Sequence, residues 1–232
     1  MRRAMALAAL ATATPALAQG WQCQVPPQVS VPPMPLADEP ARVVPITGYT
    51  LALSWSPEYC RTRKDDPANA TQCSGRMGRF GFVLHGLWPE GRGSQYPQWC
   101  PAPRAPDAAT LRRNLCTTPS TTLLMHEWAK HGSCMTKDPA AYFDKGRTLF
   151  QSMTFPDMAR LSRKEGLNAA MMRQAMVVAN PRLKPDMIRL LLGRGGWLRE
   201  VQVCHSTTFK PVRCPRGTGP ADSVPVKIWR SF

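Results

Sequence analysis

Four side chains that can transfer protons or hold an anion lie within six consecutive positions of the segment LLMHEWAKHGSC at 123–134. They are His126, Glu127, Lys130 and His131. Imidazole titrates close to neutral pH and therefore serves as a general acid or base, while a neighbouring lysine adds a positive charge. The segment predicts a site that moves protons next to a bound anion.

A zinc site is the competing interpretation of two histidines beside a glutamate. The zinc-protease helix has the pattern His-Glu-x-x-His, with both histidines on one face. Here the second histidine follows the first by five positions, which turns it by about 140° on an α-helix. We therefore expect no metal and no other cofactor, and a zinc hydrolase remains the alternative that a chelator would reveal.

The same helical geometry places the polar groups on one arc. With His126 at zero, Lys130 lies at about 40°, Glu127 at about 100° and His131 at about 140°. The apolar residues between them face the other way and are expected to pack inwards. Because Glu127 and His131 are four residues apart, we expect the carboxylate to orient the imidazole or raise its pKa. A solvated, salt-bridged helix face is the structural alternative.

A second proton-transfer group is expected elsewhere in the chain, because such a reaction needs both an acid and a base. Of the four histidines, His85 follows a strand predicted at 79–84 and precedes Gly-Leu-Trp-Pro. It can therefore face a cleft in which Trp88 stacks on a base or a sugar. His205 lies in a late predicted strand and is interpreted as structural.

These residues belong to two longer patterns, and in them the sequence resembles the ribonuclease T2 family of base-non-specific endoribonucleases. The patterns are GFVLHGLWP at 81–89 and HEWAKHGSC at 126–134. The flanking segments LALSWSPEYC at 51–60 and DPAAYF at 138–143 are also similar to family members. The resemblance covers residues 48–215.

The resemblance implies cleavage of single-stranded RNA without a metal. The ribose 2′-hydroxyl attacks the adjacent phosphate, and the resulting 2′,3′-cyclic phosphate is then hydrolysed to a 3′-phosphate. It implies that His131 is the general base and His85 the general acid, while His126, Glu127 and Lys130 hold the phosphate and stabilise the transition state. DNA lacks the 2′-hydroxyl nucleophile and is expected to resist cleavage.

The resemblance also implies where a base binds. Trp88 matches the family's stacking tryptophan, and Glu90 stands where some members read a base edge. Leu123, Leu124 and Met125 stand where many members have aromatic residues. We therefore expect little base specificity.

The order of the predicted strands and helices indicates an α+β fold with a mainly antiparallel central sheet and flanking helices. The resemblance implies that this fold is ribonuclease T2-like. Strands are predicted at 49–55, 79–84, 197–204, 207–214 and 224–232, and helices at 107–115, 121–131, 139–152, 158–164, 169–178 and 185–192.

Eight cysteines predict four disulfides, provided that the chain is exported. The pairs that the resemblance implies are Cys100–Cys134, Cys60–Cys73 and Cys204–Cys214, and these leave Cys23–Cys116 as the fourth. The first would tie the two catalytic segments together, and the last would anchor the N-terminal part of the chain.

The N-terminal sequence predicts export. Residues 1–18 combine two arginines, a short apolar run and an Ala-Leu-Ala exit, which is typical of a cleaved signal peptide. We expect a periplasmic or secreted protein without a membrane anchor. Residues 19–47 form a proline-rich arm, which cannot sustain a helix or a central strand, and residues 48–232 are expected to form one catalytic domain.

The net charge of +15 favours polyanionic partners such as RNA. We expect a monomer that acts on single-stranded RNA. The alternative is a non-catalytic cationic secreted protein that binds RNA or another polyanion, or a toxin-like protein. Its binding would be sensitive to salt and would survive loss of His85 and His131.

Overall fold

The structure of the protein is a computed structural model that describes residues 23–93, 95–102, 104–215 and 219–230. The predicted signal peptide at 1–18 lies outside these residues. Within them, an antiparallel four-stranded sheet has the strand order β2-β1-β4-β3. The strands are β1 (Gly48–Trp55), β2 (Phe82–Glu90), β3 (Ile188–Leu192) and β4 (Leu198–His205). The predicted α+β fold with a mainly antiparallel sheet is confirmed.

Short helices connect and cover the strands. They are α1 (Ser56–Cys60), α2 (Ala70–Cys73), α3 (Ala108–Asn114), α4 (Thr121–Glu127), α5 (Ser133–Met135), α6 (Pro139–Gln151), α7 (Met158–Leu161) and α8 (Ala169–Ala179). A π turn at Trp128–Gly132 joins α4 to α5, and 3₁₀ turns occupy Pro67–Asn69, Pro185–Met187 and Arg194–Gly196. None of the described helices is long and apolar enough to cross a bilayer.

The two faces of the sheet differ, because side chains alternate along β1. Leu51 and Leu53 are fully buried in the apolar core, together with Phe150 of α6. Thr50 and Ser54 instead hydrogen-bond to glutamates of neighbouring strands. One face of the sheet therefore supports the helices, and the other presents polar groups.

The strand predicted at 79–84 instead spans Phe82–Glu90, so that His85 and Trp88 lie within it rather than after it. Three further predicted elements have a different secondary structure. The helix predicted at 185–192 is wrong: after one 3₁₀ turn the segment is strand β3, in which Ile188 and Leu190 are buried. Pro185 and Gly193 bound a segment too short for a stable helix, and an apolar run of that length also suits a strand. The strands predicted at 207–214 and 224–232 are also wrong: these segments form isolated β-bridges rather than paired strands. Their prolines lack the N–H group that continuous strand pairing needs.

The structure contains the same four disulfide pairs that the resemblance and the remaining cysteines indicated. Cys100–Cys134 joins the segment after β2 to α5, directly behind the π turn. Cys23–Cys116 attaches the start of the described arm to the turn that follows α3. The arm and the segment after β2 are thus covalently attached to the helical layer.

Removal of the Cys23–Cys116 disulfide should destabilise the protein more than removal of Cys204–Cys214. The first pair is separated by 93 residues and the second by 10, and the entropy that a cross-link removes from the unfolded chain grows with loop length. The paired Cys→Ser variants should differ by about 2 kcal/mol in the free energy of unfolding. Urea denaturation measures this difference, and an equal or reversed loss would contradict it.

Candidate active site

The second motif is divided between two elements: His126 and Glu127 end α4, and Lys130 and His131 lie in the π turn at Trp128–Gly132. The backbone hydrogen bonds of the turn span five residues instead of four, so the rotation calculated for a regular helix through residue 131 is wrong. The angular argument against a metal site therefore does not apply to His126 and His131. In the described part of the chain, no group of three or more His, Cys, Asp or Glu side chains is placed to hold a metal ion.

The structure brings the predicted residues of both motifs into one cleft of about 420 Å³. The cleft is lined by His85, Trp88, Pro89, Glu90, Tyr96, His126, Glu127, Lys130, His131, Arg189 and Gln202. Strand β2 supplies the first motif, and α4 with its π turn supplies the second. Trp88 contacts both histidines: its ring centroid lies 5.0 Å from that of His85 and 5.5 Å from that of His131.

His85 is held by two carboxylates. Its Nδ1 lies 2.7 Å from Glu200 Oε2, and its Nε2 lies 3.6 Å from Glu127 Oε1. Burial acts to lower the pKa of His85, as does the charge of Arg199, but the hydrogen bond to Glu200 and the charges of both glutamates outweigh these effects. The pKa is therefore raised above its usual value of 6.5, and the ring favours its protonated form.

Glu200 was not predicted from the sequence, although it holds the catalytic candidate His85. It is buried in β4 and also accepts hydrogen bonds from Ser54 Oγ at 3.0 Å and Gln202 Nε2 at 2.6 Å. Burial alone would raise the pKa of Glu200. The hydrogen bonds from these two donors and from His85, together with the charge of His85, have the larger effect, so the pKa is lowered overall. An acidic residue among the valines of a predicted strand was the available signal, since buried carboxylates are rare without partners.

His131 has the opposite environment. It is buried in the π turn, and burial together with the positive charges of Lys130, His126 and His85 lowers its pKa to about 3, against a weaker opposing effect of Glu39. Its Nδ1 has no hydrogen-bond partner among the described residues. The ring is therefore neutral at all but strongly acidic pH, as a proton acceptor must be.

Glu127 is directed towards β2 rather than towards His131. Its Oε2 accepts a hydrogen bond of 2.7 Å from Trp88 Nε1, and the expectation that it orients His131 or raises the pKa of that ring is wrong. Gly86 makes room for this arrangement, because a Cβ there would lie 2.0 Å from Glu127 Oε2. Burial raises the pKa of Glu127 to about 7, against the opposing effects of His85 and of the Trp88 hydrogen bond.

His126 and Lys130 form the cationic side of the cleft. The His126 ring meets Trp99 edge-on at 5.5 Å, and burial together with the charge of Lys130 lowers its pKa. Lys130 Nζ lies 2.8 Å from Glu39 Oε1 and 3.5 Å from Asp38 Oδ1. Both acids belong to the proline-rich arm, and their contact with a lysine 91 and 92 positions away had no local signal in the sequence.

The residues predicted to bind a base also lie in the cleft. Glu90 Oε1 accepts a hydrogen bond from Thr50 and lies 3.4 Å from Arg189 Nη2, while the other carboxylate oxygen has no such partner in the described structure. Leu124 and Met125 are buried in the core. Aromatic surface is provided instead by Trp88 and by Tyr96, which was not predicted.

Comparison with known proteins places the two motifs in a family. The sequence profile of the Ribonuclease T2 family matches residues 47–175. A probable ribonuclease of Haemophilus influenzae is 32% identical over 181 residues, which are 73% of this chain and 61% of that protein. A ribonuclease of Aeromonas hydrophila is 45% identical over 86 residues, 37% of this chain and 36% of that protein. The chain thus matches less than two thirds of the length of these relatives.

Solved structures share the fold at low sequence identity. An RNase-related protein from Calystegia sepium superimposes with a TM-score of 0.61 at 22% identity, over 80% of this chain and 98% of that one. RNase NT, solved in complex with 5'-AMP, superimposes with a TM-score of 0.58 at 19% identity, over 79% of this chain and 98% of that one. Since the profile match spans both motifs and more than half of the sequence, the chain belongs to the ribonuclease T2 family.

Proposed function

We propose that the protein is an endoribonuclease that cleaves single-stranded RNA by transesterification, with little base specificity and without a metal ion. The observation that supports this function best is the pairing of two imidazoles with opposite pKa shifts in one cleft. The pKa of His131 is lowered to about 3, and that of His85 is raised above 6.5. Two like groups whose environments separate their pKa values suit the roles of base and acid.

The proton transfers follow from these protonation states. Neutral His131 accepts the proton of the ribose 2′-hydroxyl as its oxygen bonds to phosphorus. Protonated His85 gives a proton to the 5′-oxygen as the bond between that oxygen and phosphorus breaks. The products are a 2′,3′-cyclic phosphate and a free 5′-hydroxyl. Water then opens the cyclic ester to a 3′-phosphate with the two histidines in exchanged roles.

The other cleft residues stabilise the charge that develops on the phosphate oxygens. Lys130 supplies positive charge, and His126, whose lowered pKa favours the neutral ring, can donate a hydrogen bond to a phosphate oxygen. Glu127, with its pKa raised to about 7, can donate a hydrogen bond to a phosphate oxygen when it is protonated, and in that state its charge no longer contributes to the raised pKa of His85. Trp88 and Tyr96 offer stacking surfaces for a base. Glu90 lines the same cleft and can accept a hydrogen bond from the edge of that base.

We further propose that the chain acts outside the cytoplasm as a monomer. Residues 1–18 would direct export and be removed, and the four disulfides are stable in an oxidising compartment. Residues 48–232 would form the catalytic domain, with the proline-rich arm at 19–47 in front of it.

The purified mature chain should degrade single-stranded RNA in excess EDTA, leave DNA intact and produce 2′,3′-cyclic and then 3′-phosphate ends. His85→Ala and His131→Ala should each lower kcat by about 100- to 10,000-fold, the usual contribution of a general acid or base. His205→Asn is the matched control, because His205 is buried in β4 with its Nδ1 3.0 Å from Val203 O, and it should retain activity if it folds.

Three outcomes would contradict this function. Activity that EDTA abolishes and zinc restores would indicate a metal hydrolase. Cleavage of DNA would exclude attack by the 2′-hydroxyl. Salt-sensitive RNA binding without cleavage, unchanged in both alanine variants, would indicate the cationic binding protein instead.

The dependence of kcat/KM on pH, which reports the pKa values of the free enzyme, should be bell-shaped, with an acidic limb at about 3 and an alkaline limb above 6.5. His131 must be neutral to accept a proton, so activity falls as pH drops through its pKa of about 3. His85 must be protonated to donate one, so activity falls as pH rises through its raised pKa. Rates measured on a dinucleotide substrate test this, and an activity that increases steadily up to pH 9 would refute the assignment.

Glu200→Gln should move the alkaline limb to lower pH. The amide keeps the shape of the side chain but loses the charge that raises the pKa of His85. A hydrogen bond to a charged group contributes about 1.5–3 kcal/mol, so the limb should fall by about one to two pH units. Ser54→Ala removes one donor to Glu200 but keeps the carboxylate, and should shift the limb less. An unmoved limb in Glu200→Gln would show that Glu200 does not set the titration of His85.

A further inference from the structure

We propose that the proline-rich arm is part of the active site, because its acid pair (Asp38 and Glu39) positions the ammonium group of Lys130 against the phosphate. The inference rests on the proposed role of Lys130 in RNA cleavage. The profile match begins at residue 47, so the acid pair lies before the segment that matches the family profile. Asp38 and Glu39 are positioning residues, since they act on the substrate through Lys130.

The acid pair leaves Lys130 little freedom. Its Nζ donates to Glu39 Oε1 at 2.8 Å and lies 3.5 Å from Asp38 Oδ1, and it stands 5.7 Å from the centroid of the Trp99 ring. Only 13% of the lysine side chain is exposed. An ammonium group has three protons to donate, and with two directed at the arm, the third remains for an oxygen of a phosphate bound in the cleft.

Neutral donors hold each carboxylate independently of Lys130. Trp99 Nε1 donates to Asp38 Oδ1 at 3.0 Å. The amide of Gln98, a fully buried residue, donates to Glu39 Oε2 at 3.2 Å and to Pro40 O at 3.0 Å. The acid pair is therefore fixed by the segment after β2, and the flexible lysine side chain adapts to it.

The segment after β2 also contacts the π turn, so that arm, segment and turn form one unit. Arg42 and Gln98 exchange two backbone hydrogen bonds of 2.9 Å, and Trp99 N donates to Lys130 O at 2.8 Å. Trp99 has a φ of 52°, a left-handed conformation that a large side chain rarely adopts. Such strain persists only where the surroundings impose it, and here it directs the indole towards Asp38 and the backbone N–H towards Lys130.

A competing role would be inhibition, in which the carboxylates occupy the place of the phosphate. The two roles differ in their kinetic signature. A positioning pair contributes to the transition state, so its loss lowers kcat. A competitor weakens substrate binding, so its loss lowers KM and leaves kcat unchanged. The anchoring of both acids by Trp99 and Gln98 favours the first role, because a displaceable inhibitor would not be held by the body of the protein.

Glu39→Gln tests the proposal, since it keeps the shape of the side chain and removes its charge. We expect kcat on a dinucleotide to fall about 10-fold, with KM unchanged or lower. This decrease is smaller than the decrease in kcat that follows complete removal of a group that stabilises the transition state. Adding Asp38→Asn should lower kcat further. Asp144→Asn, which removes the acid of an ion pair with Arg147 on α6, is the control for a loss of one negative charge and should leave kcat unchanged.

A double-mutant cycle with Lys130→Ala identifies the group through which Glu39 acts. In the Lys130→Ala protein, Glu39→Gln should have no further effect on kcat, and thermal unfolding should show that all variants fold. An equal loss of kcat in both backgrounds, or an unchanged kcat with a lower KM in Glu39→Gln alone, would overturn the proposal. A wild-type protein that does not cleave RNA would overturn both this inference and the proposed function, whereas an active wild type with an unaffected Glu39→Gln would overturn this inference alone.

Discussion

The hydrogen bond of 2.7 Å between His85 Nδ1 and Glu200 Oε2 is the contact on which the geometry of the cleft depends. It connects β2 to β4 across the intervening strand β1, whose Ser54 also donates to Glu200. The bond fixes the orientation of the imidazole, so that Nε2 lies 3.6 Å from Glu127 Oε1 at the end of α4. It also places a buried negative charge beside the ring, which favours the protonated form.

The fold provides two different environments for the same side chain. His85 stands on the polar face of the sheet between two carboxylates, whereas His131 is buried in the π turn among positive charges. Glu127 adds to this difference, because its carboxylate accepts a hydrogen bond from Trp88 rather than from His131. A regular helix would have placed the carboxylate one turn from the imidazole and favoured a higher pKa for His131.

The sequence predicted those features of the site that depend on neighbouring residues. It did not predict those that depend on contacts between distant parts of the chain. The motif residues of the cleft and the antiparallel α+β fold could be predicted, because each motif is contiguous and strand alternation is a local pattern. The π turn could not, since its hydrogen-bond pattern has no composition signal in HEWAKHG. Strand β3 was mistaken for a helix because its short apolar run fits both periods, and only pairing with β4 decides between them.

The contacts of Glu200 and of the acid pair on the arm are long-range, and for that reason the sequence did not indicate them. Glu200 reaches His85 over 115 positions, and Glu39 reaches Lys130 over 91. In both cases a buried or partly buried charged side chain pairs with a side chain of opposite charge from another element. Such pairing offsets the cost of burying a charge. The residues that line the cleft and those that contact them thus come from the arm, the sheet and the helical layer.

NMR titration of the imidazole nitrogens in the free protein decides whether His85 is protonated and His131 neutral, as the proposed reaction requires. At pH 5, which lies above the pKa of His131 and below the raised pKa of His85, we expect a doubly protonated ring for His85 and a single neutral tautomer for His131. A neutral His85 together with a charged His131 at that pH would contradict it.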